Sequence, residues 1–147
     1  TQSYDIIKTM EAPEQLLQPS ENKELLNLKI LIADDTEAVR SVLKIFLVSM
    51  GHIVDEVDDG HQLVEKLNSD YVCDLVISDF EMPGLDGLEA VKKIRETEKL
   101  KNLPIFIVTG SPRKLEEKMK TSGITVPYLG KPFTIKDIKT KIEELLK

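Results

Sequence analysis

From Leu28 onward the hydrophobic positions follow two alternating rhythms. Short apolar runs, LKILIA (28–33), HIVDEV (52–57), VCDLVIS (72–78), PIFIVTG (104–110) and TVPYLG (125–130), have the length and bounding residues of buried strands. Between them, apolar residues recur at steps of three and four. Val39, Val42, Leu43, Phe46, Leu47 and Met50 form such a stripe within 36–50, which Gly51 ends. Leu63, Val64 and Leu67 do the same within 60–69, and Leu88, Val91 and Ile94 within 87–96. Ser111-Pro112 supplies an N-cap and a proline at the first helical position for a helix running to about Thr121, before Gly123. Ile135, Ile138, Ile142, Leu145 and Leu146 mark a last helix over 134–146. Pro127 places the fifth strand at a sheet edge. Residues 1–27 are polar, contain Pro13 and Pro19, and show apolar pairs without a sustained period. They read as an extension or linker with room for a short helix.

Five strand–helix units in alternation predict an α/β fold: a doubly wound, five-stranded parallel sheet with right-handed crossovers and helices on both faces. The units span residues 28–147, too few for an eight-stranded barrel.

Composition narrows the function. The chain has 147 residues, 41% hydrophobic and 31% charged, with a net charge of −6 and a pI near 5.0. Such a surface repels nucleic acid and anionic membranes but suits small cations. The single Cys73 excludes a disulfide framework and a cysteine metal site. No apolar run reaches membrane-span length and no leader-like start is present, so a cytoplasmic location is expected.

The chemistry gathers at the strand ends. In a doubly wound sheet, ligands bind outside the carboxyl ends of the strands where strand order reverses; in the flavodoxin-like order 2-1-3-4-5 this lies between the first and third strands. Strand one ends in Asp34-Asp35, strand three in Asp79 and strand four in Thr109-Gly110, while strand five leads into Lys131-Pro132. Crowded aspartates either raise their pKa values or recruit a cation, and a hard divalent ion such as Mg²⁺ fits oxygen donors. A metal, an ammonium and a hydroxyl around one carboxylate can stabilise a transferring phosphoryl group, with Asp79 as nucleophile.

ILIADDTEAVR, LVISDFEMPGLDGLEAVKKIR, IFIVTG and YLGKPF, taken in this order, resemble the receiver domains of bacterial response regulators and hybrid histidine kinases, over residues 28–147. The resemblance implies that Asp79 is the phosphoacceptor. It implies Mg²⁺, for which Mn²⁺ can substitute, bound directly by Asp35 and Asp79, through water by Asp34, and by the backbone carbonyl of Glu81. Thr109 would be the switch hydroxyl, Tyr128 the aromatic switch, Lys131 the phosphoryl-binding ammonium, and Lys131–Pro132 a cis peptide. The implied donor is a histidine kinase or histidine phosphotransfer domain. The implied output face is the fourth helix, fifth strand and fifth helix, used by a downstream protein, with the domain a monomer or a phosphorylation-dependent dimer. Self-catalysed phosphorylation and slow self-dephosphorylation would make it a switch, not a turnover enzyme. Gly110 stands where the family more often has alanine, which should widen access to the site. Leu63 replaces a residue that is often small.

Each residue also has a plainer reading. Asp34, Asp35 or Thr36 can cap the first helix, Tyr128 can be edge packing, and Glu81 can be a loop residue whose side chain lies beside the phosphoryl site. His52 and His61 read as solvated or capping, Cys73 as core, and the helix RKLEEKMK as a solvated face. Two rival functions remain open. A Mg²⁺-dependent phosphohydrolase would use Glu81 as a general acid. A flavodoxin-like cofactor binder or interaction module is disfavoured because DDTEAVR is no phosphate-binding loop.

Overall fold

The computed structural model describes Leu25 and residues 27–146; the predicted extension therefore lies outside the described residues except at Leu25 and Asn27. The strands are β1 (Lys29–Ala33), β2 (Ile53–Val57), β3 (Leu75–Asp79), β4 (Ile105–Thr109) and β5 (Tyr128–Gly130). The helices are α1 (Glu37–Ser49), α2 (Gly60–Leu67), α3 (Gly87–Arg95), α4 (Pro112–Ser122) and α5 (Ile135–Leu146), with a short 3₁₀ turn at Glu98–Leu100. All strand pairs are parallel and the order is β2-β1-β3-β4-β5, with β3 beside β1 where the winding reverses.

The period-two alternation of the strands divides the core in two. Ile30, Ile32, Leu75, Ile77, Phe106 and Val108 face α1 and α5, meeting Leu43, Leu47, Ile138 and Ile142. Leu31, Ala33, Val76, Ile105 and Ile107 face the other way, meeting Leu63 and Leu67 of α2, Leu88, Val91 and Ile94 of α3, and Leu115 of α4. The central strands β3 and β4 are buried along their whole length, as a parallel sheet covered on both sides requires.

The structure departs from the sequence pattern in particular places. The third strand starts at Leu75, not Val72: Val72 is 74% exposed and Asp74 ties the approach to β1, its Oδ2 accepting from Lys29 N at 2.8 Å. The fifth strand is only Tyr128–Gly130, because the chain reaches the sheet at Pro127, whose carbonyl accepts from Ile107 N. Val42, placed on the buried stripe of α1, is exposed, and that helix buries only Leu43 and Leu47 fully. Thr36 makes no side-chain cap; Asp34 Oδ1 instead accepts its N–H at 2.9 Å. Ser111 likewise makes no side-chain cap to α4. Cys73 is half-buried against the α2–α3 side, where burial pushes its thiol up to about 11 and leaves it unreactive. Leu63 is fully buried, whereas His61 is exposed.

His52 is not solvated. It is 7% exposed, and its Nδ1 accepts the Leu28 N–H at 3.2 Å, so it pins the entry to β1. Burial lowers its pKa because the charged imidazole is disfavoured there. The unfolded chain therefore takes up the proton first as pH falls through about 6.5, and the fold loses stability below that value. Denaturation midpoints measured from pH 7 to 5 should fall for this reason. His52→Asn, which keeps an acceptor near Nδ1 without a titrating ring, should flatten the decline; an unchanged slope would show that His52 is not its source.

Candidate functional site

Asp79 is the last residue of β3, held between β1 and β4, with Cα register to Val108. Only 7% of it is exposed. Its backbone is fixed on both sides: Ser78 Oγ donates to its carbonyl at 2.9 Å, and the following Phe80 N–H reaches Val108 O at 3.2 Å. The Phe80 N–H also reaches Asp79 Oδ1 at 2.9 Å. Gly87, the first residue of α3, packs directly on this turn. A Cβ there would lie 2.3 Å from the Asp79 carbonyl oxygen, so no side chain fits without moving the strand end. Asp86 and Glu89 close a reciprocal capping box that fixes where α3 begins.

The electrostatics follow from this placement. Asp34, at the end of β1, is fully buried, Asp79 is buried, and Asp35 is exposed; one carboxylate oxygen from each lies within 4.8 Å of the others. Lys131 Nζ is 3.2 Å from Asp79 Oδ1 and 3.6 Å from Asp34 Oδ2. Burial, and then the charge of Asp34, push Asp79 up to about 6, against the pull of Lys131 and the Phe80 N–H. One ammonium does not neutralise three carboxylates. Among the described residues, Asp34 Oδ2 is the buried side-chain oxygen left with no hydrogen-bond partner. A buried carboxylate oxygen with no hydrogen bond, only a long ion pair to Lys131, and two further carboxylates beside it is costly without a further cation. Three hard oxygen donors at this spacing fit a small divalent ion such as Mg²⁺.

The remaining predicted residues surround this point. Thr109 is fully buried at the end of β4, and its Oγ1 accepts the Ser111 N–H at 2.8 Å. Its carbonyl accepts from Lys131 N at 2.7 Å, which ties the end of β4 to the lysine. Lys131–Pro132 is cis. Tyr128 pairs with Ile107 across β4–β5, two residues from the Thr109 register, so both side chains lie on the α4 side of the sheet. The Tyr128 hydroxyl donates to Glu116 of α4, which raises its pKa. A Cβ on Gly110 would meet nothing within 4 Å.

Glu81 does not turn toward the carboxylates. Its Oε2 pairs with Lys114 at 3.0 Å and its Oε1 accepts from Ser111 Oγ at 3.3 Å; Lys114 first of all holds its carboxyl below the usual range. Lys118 bonds the free oxygens of both capping-box partners, Asp86 and Glu89. A cleft of about 410 Å³ lies between this loop and α4, with Asp35, Phe80, Met82 and Lys114 in its walls. Lys114 and Lys118 stand four apart in the helix read from sequence as a solvated face, and that spacing was the available signal. Arg40 was not anticipated either: it donates to the Asp34 carbonyl at 2.7 Å and to Glu56 at 2.9 Å, clamping α1 to the strand ends. No helix among the described residues is long and apolar enough to cross a membrane.

Comparison with known proteins agrees with this geometry. Residues 30–143 match the family described as the response regulator receiver domain. The chain is 33% identical over 121 residues to chemotaxis protein CheY-3 of Vibrio cholerae, covering 81% of this chain and 92% of that protein. A CheY homolog of Campylobacter jejuni is 33% identical over 120 residues, with the same coverage of both chains. Among solved structures, CheY4 of Vibrio cholerae superposes with a TM-score of 0.71 at 30% identity, covering 82% of this chain and 99% of that one. The receiver domain of a Pseudomonas aeruginosa sensor histidine kinase, with a magnesium ion coordinated in its active-site cleft, superposes with a TM-score of 0.74 at 26% identity, covering 81% and 97%. With this sheet order, and with acidic, hydroxyl and lysine positions at the strand ends, the chain belongs to the response regulator receiver domains.

Proposed function

We propose that residues 28–147 form a phosphoacceptor switch, with residues 1–27 an extension to it, and that Asp79 accepts a phosphoryl group from a phosphohistidine of a histidine kinase or phosphotransfer domain. The observation that carries the reading is the charge-crowded point at the sheet switch: buried Asp79, 3.2 Å from Lys131, beside Asp34 with an oxygen that has no hydrogen bond. An Asp79 carboxylate oxygen attacks phosphorus, the P–N bond breaks, and its electron pair remains on the donor imidazole. Mg²⁺, or Mn²⁺ in its place, would be held by Asp34, Asp35 and Asp79, with the Glu81 carbonyl as a further donor, and would offset charge on the phosphoryl oxygens. The magnesium in the related Pseudomonas receiver domain supports that choice.

Lys131 contacts Asp79, which supports a role in binding a second phosphoryl oxygen. Thr109 exchanges its bond with the Ser111 N–H for donation to the phosphate, and Tyr128, on the same face of the sheet, follows. That rearrangement alters the surface of α4, β5 and α5 that a downstream protein reads. The domain works in the cytoplasm with its donor and catalyses its own phosphorylation and slow dephosphorylation. The phosphohydrolase reading is weaker: a general acid needs a raised pKa, and Glu81 is exposed, lowered and tied to Lys114.

Incubation with a small acyl phosphate and Mg²⁺ should add one phosphoryl group by intact mass. The adduct should be absent in Asp79→Asn and after chelation of the metal; a wild-type chain that never acquires it sinks the proposal. The crowding also has a stability signature. Asp79 titrates near 6 in the fold against 3.8 unfolded, so the folded chain binds more protons in between, and stability falls as pH rises from about 4 to 6. Without divalent ions, Asp79→Asn should therefore be more stable than wild type at pH 7 by roughly 2 kcal/mol. The difference should vanish below about pH 4, and denaturant titration at both values reads it; no gain at pH 7 would contradict the electrostatic account.

A further inference from the structure

Asp34 is restrained on three of its polar atoms. Its N–H donates to Val57 O at 3.3 Å, and its Oδ1 accepts the Thr36 N–H at 2.9 Å. Its carbonyl accepts from Arg40 Nη1 at 2.7 Å, the shortest of the three bonds. Oδ2, with no hydrogen bond and Lys131 3.6 Å away, is the atom left to meet a cation.

The first two bonds are made with backbone groups at the strand ends. The third needs a side chain brought from the start of α1 and held there. Glu56 holds it: it stands on β2 opposite Ile32 of β1, and its Oε1 accepts from Arg40 Nε at 2.9 Å. Lys44 pairs with the other Glu56 oxygen at 3.4 Å. The Arg40 side chain is 15% exposed, so its planar fork bridges the carbonyl and the carboxylate largely out of water. The carbonyl it holds belongs to the peptide joining Asp34 to Asp35. Because that peptide is planar, fixing its oxygen also fixes the direction in which the exposed Asp35 leaves β1.

We propose that Arg40, held by Glu56, is a positioning residue for the divalent cation: it sets the Asp34–Asp35 peptide so that both carboxylates serve one ion. The proposal rests on the cation reading of the site given above. Charge alone argues the other way, since a guanidinium near the carboxylates repels a cation and its removal would strengthen binding. Glu56 already offsets that charge, whereas the Asp34 carbonyl would lose its short bond, so weaker binding is expected. A plain staple between α1 and β2 would change stability and leave cation affinity alone.

The test titrates Mg²⁺ into the full chain at constant ionic strength, with amide NMR shifts reading both affinity and fold. Arg40→Ala should bind roughly tenfold more weakly than wild type. Arg40→Lys keeps the charge but cannot bridge the Asp34 carbonyl and Glu56 together, so it should stay weakened. Glu56→Ala should weaken binding less, and Glu56→Gln, which keeps an acceptor for Arg40, should stay near wild type. Arg40→Ala combined with Glu56→Ala should be no weaker than Arg40→Ala alone, because both act through one bridge. Without Mg²⁺ the Ile77 and Phe106 amides should keep their wild-type shifts in every variant. Wild-type or tighter binding in Arg40→Ala, or wild-type binding in Arg40→Lys, would overturn the proposal and leave the cation reading standing. A wild-type chain that binds no Mg²⁺ would overturn both.

Discussion

Three carboxylates must share one small volume because the sheet reverses its winding between β1 and β3, and much else at the site follows from that crowding. Asp34 and Asp79 are buried by the same strands that place them, so neither can escape into water. Lys131 approaches both and satisfies neither completely, leaving one Asp34 oxygen without a hydrogen bond. Such a point is unfavourable when empty and favourable when a cation and a phosphoryl group fill it. The fold thus holds a site whose electrostatic balance is completed from outside.

Rigidity and freedom are divided around that point. β3, β4, Gly87 and the α3 capping box fix Asp79 through backbone contacts that side-chain motion does not disturb. α4 is attached more lightly: Leu115 is its one fully buried side chain, and its other links are ion pairs from Lys114 and Lys118 and the Tyr128–Glu116 bond. Exposed ion pairs of this kind contribute little each. A rigid site beside a lightly held helix suits the proposed phosphorylation switch, in which a small rearrangement at Thr109 would be passed to a surface that moves at low cost.

The sequence made the sheet legible because its inner strands are apolar on both faces, and period and length alone separate them from the helices. Strand ends were less legible. Val72 looked like strand because apolar letters carry no sign of the Asp74–Lys29 bond that starts β3 later. The positions of Asp34, Asp35, Asp79, Thr109 and Lys131 could be read because topology brings strand ends together whatever the loops do. The Glu81 side chain could not, since its direction depends on Lys114 and Ser111, some thirty residues away. His52 was misjudged for a similar reason: only the fold reveals that a backbone N–H waits for its ring nitrogen.

The central claim, that crowded carboxylates at the strand ends hold a divalent cation, is tested most directly by calorimetric titration of Mg²⁺ into the wild-type chain and into Asp34→Asn. The account predicts one ion bound by the wild type and an affinity at least about tenfold weaker in the variant. No saturable binding by the wild type, or binding that the substitution leaves unchanged, would contradict it.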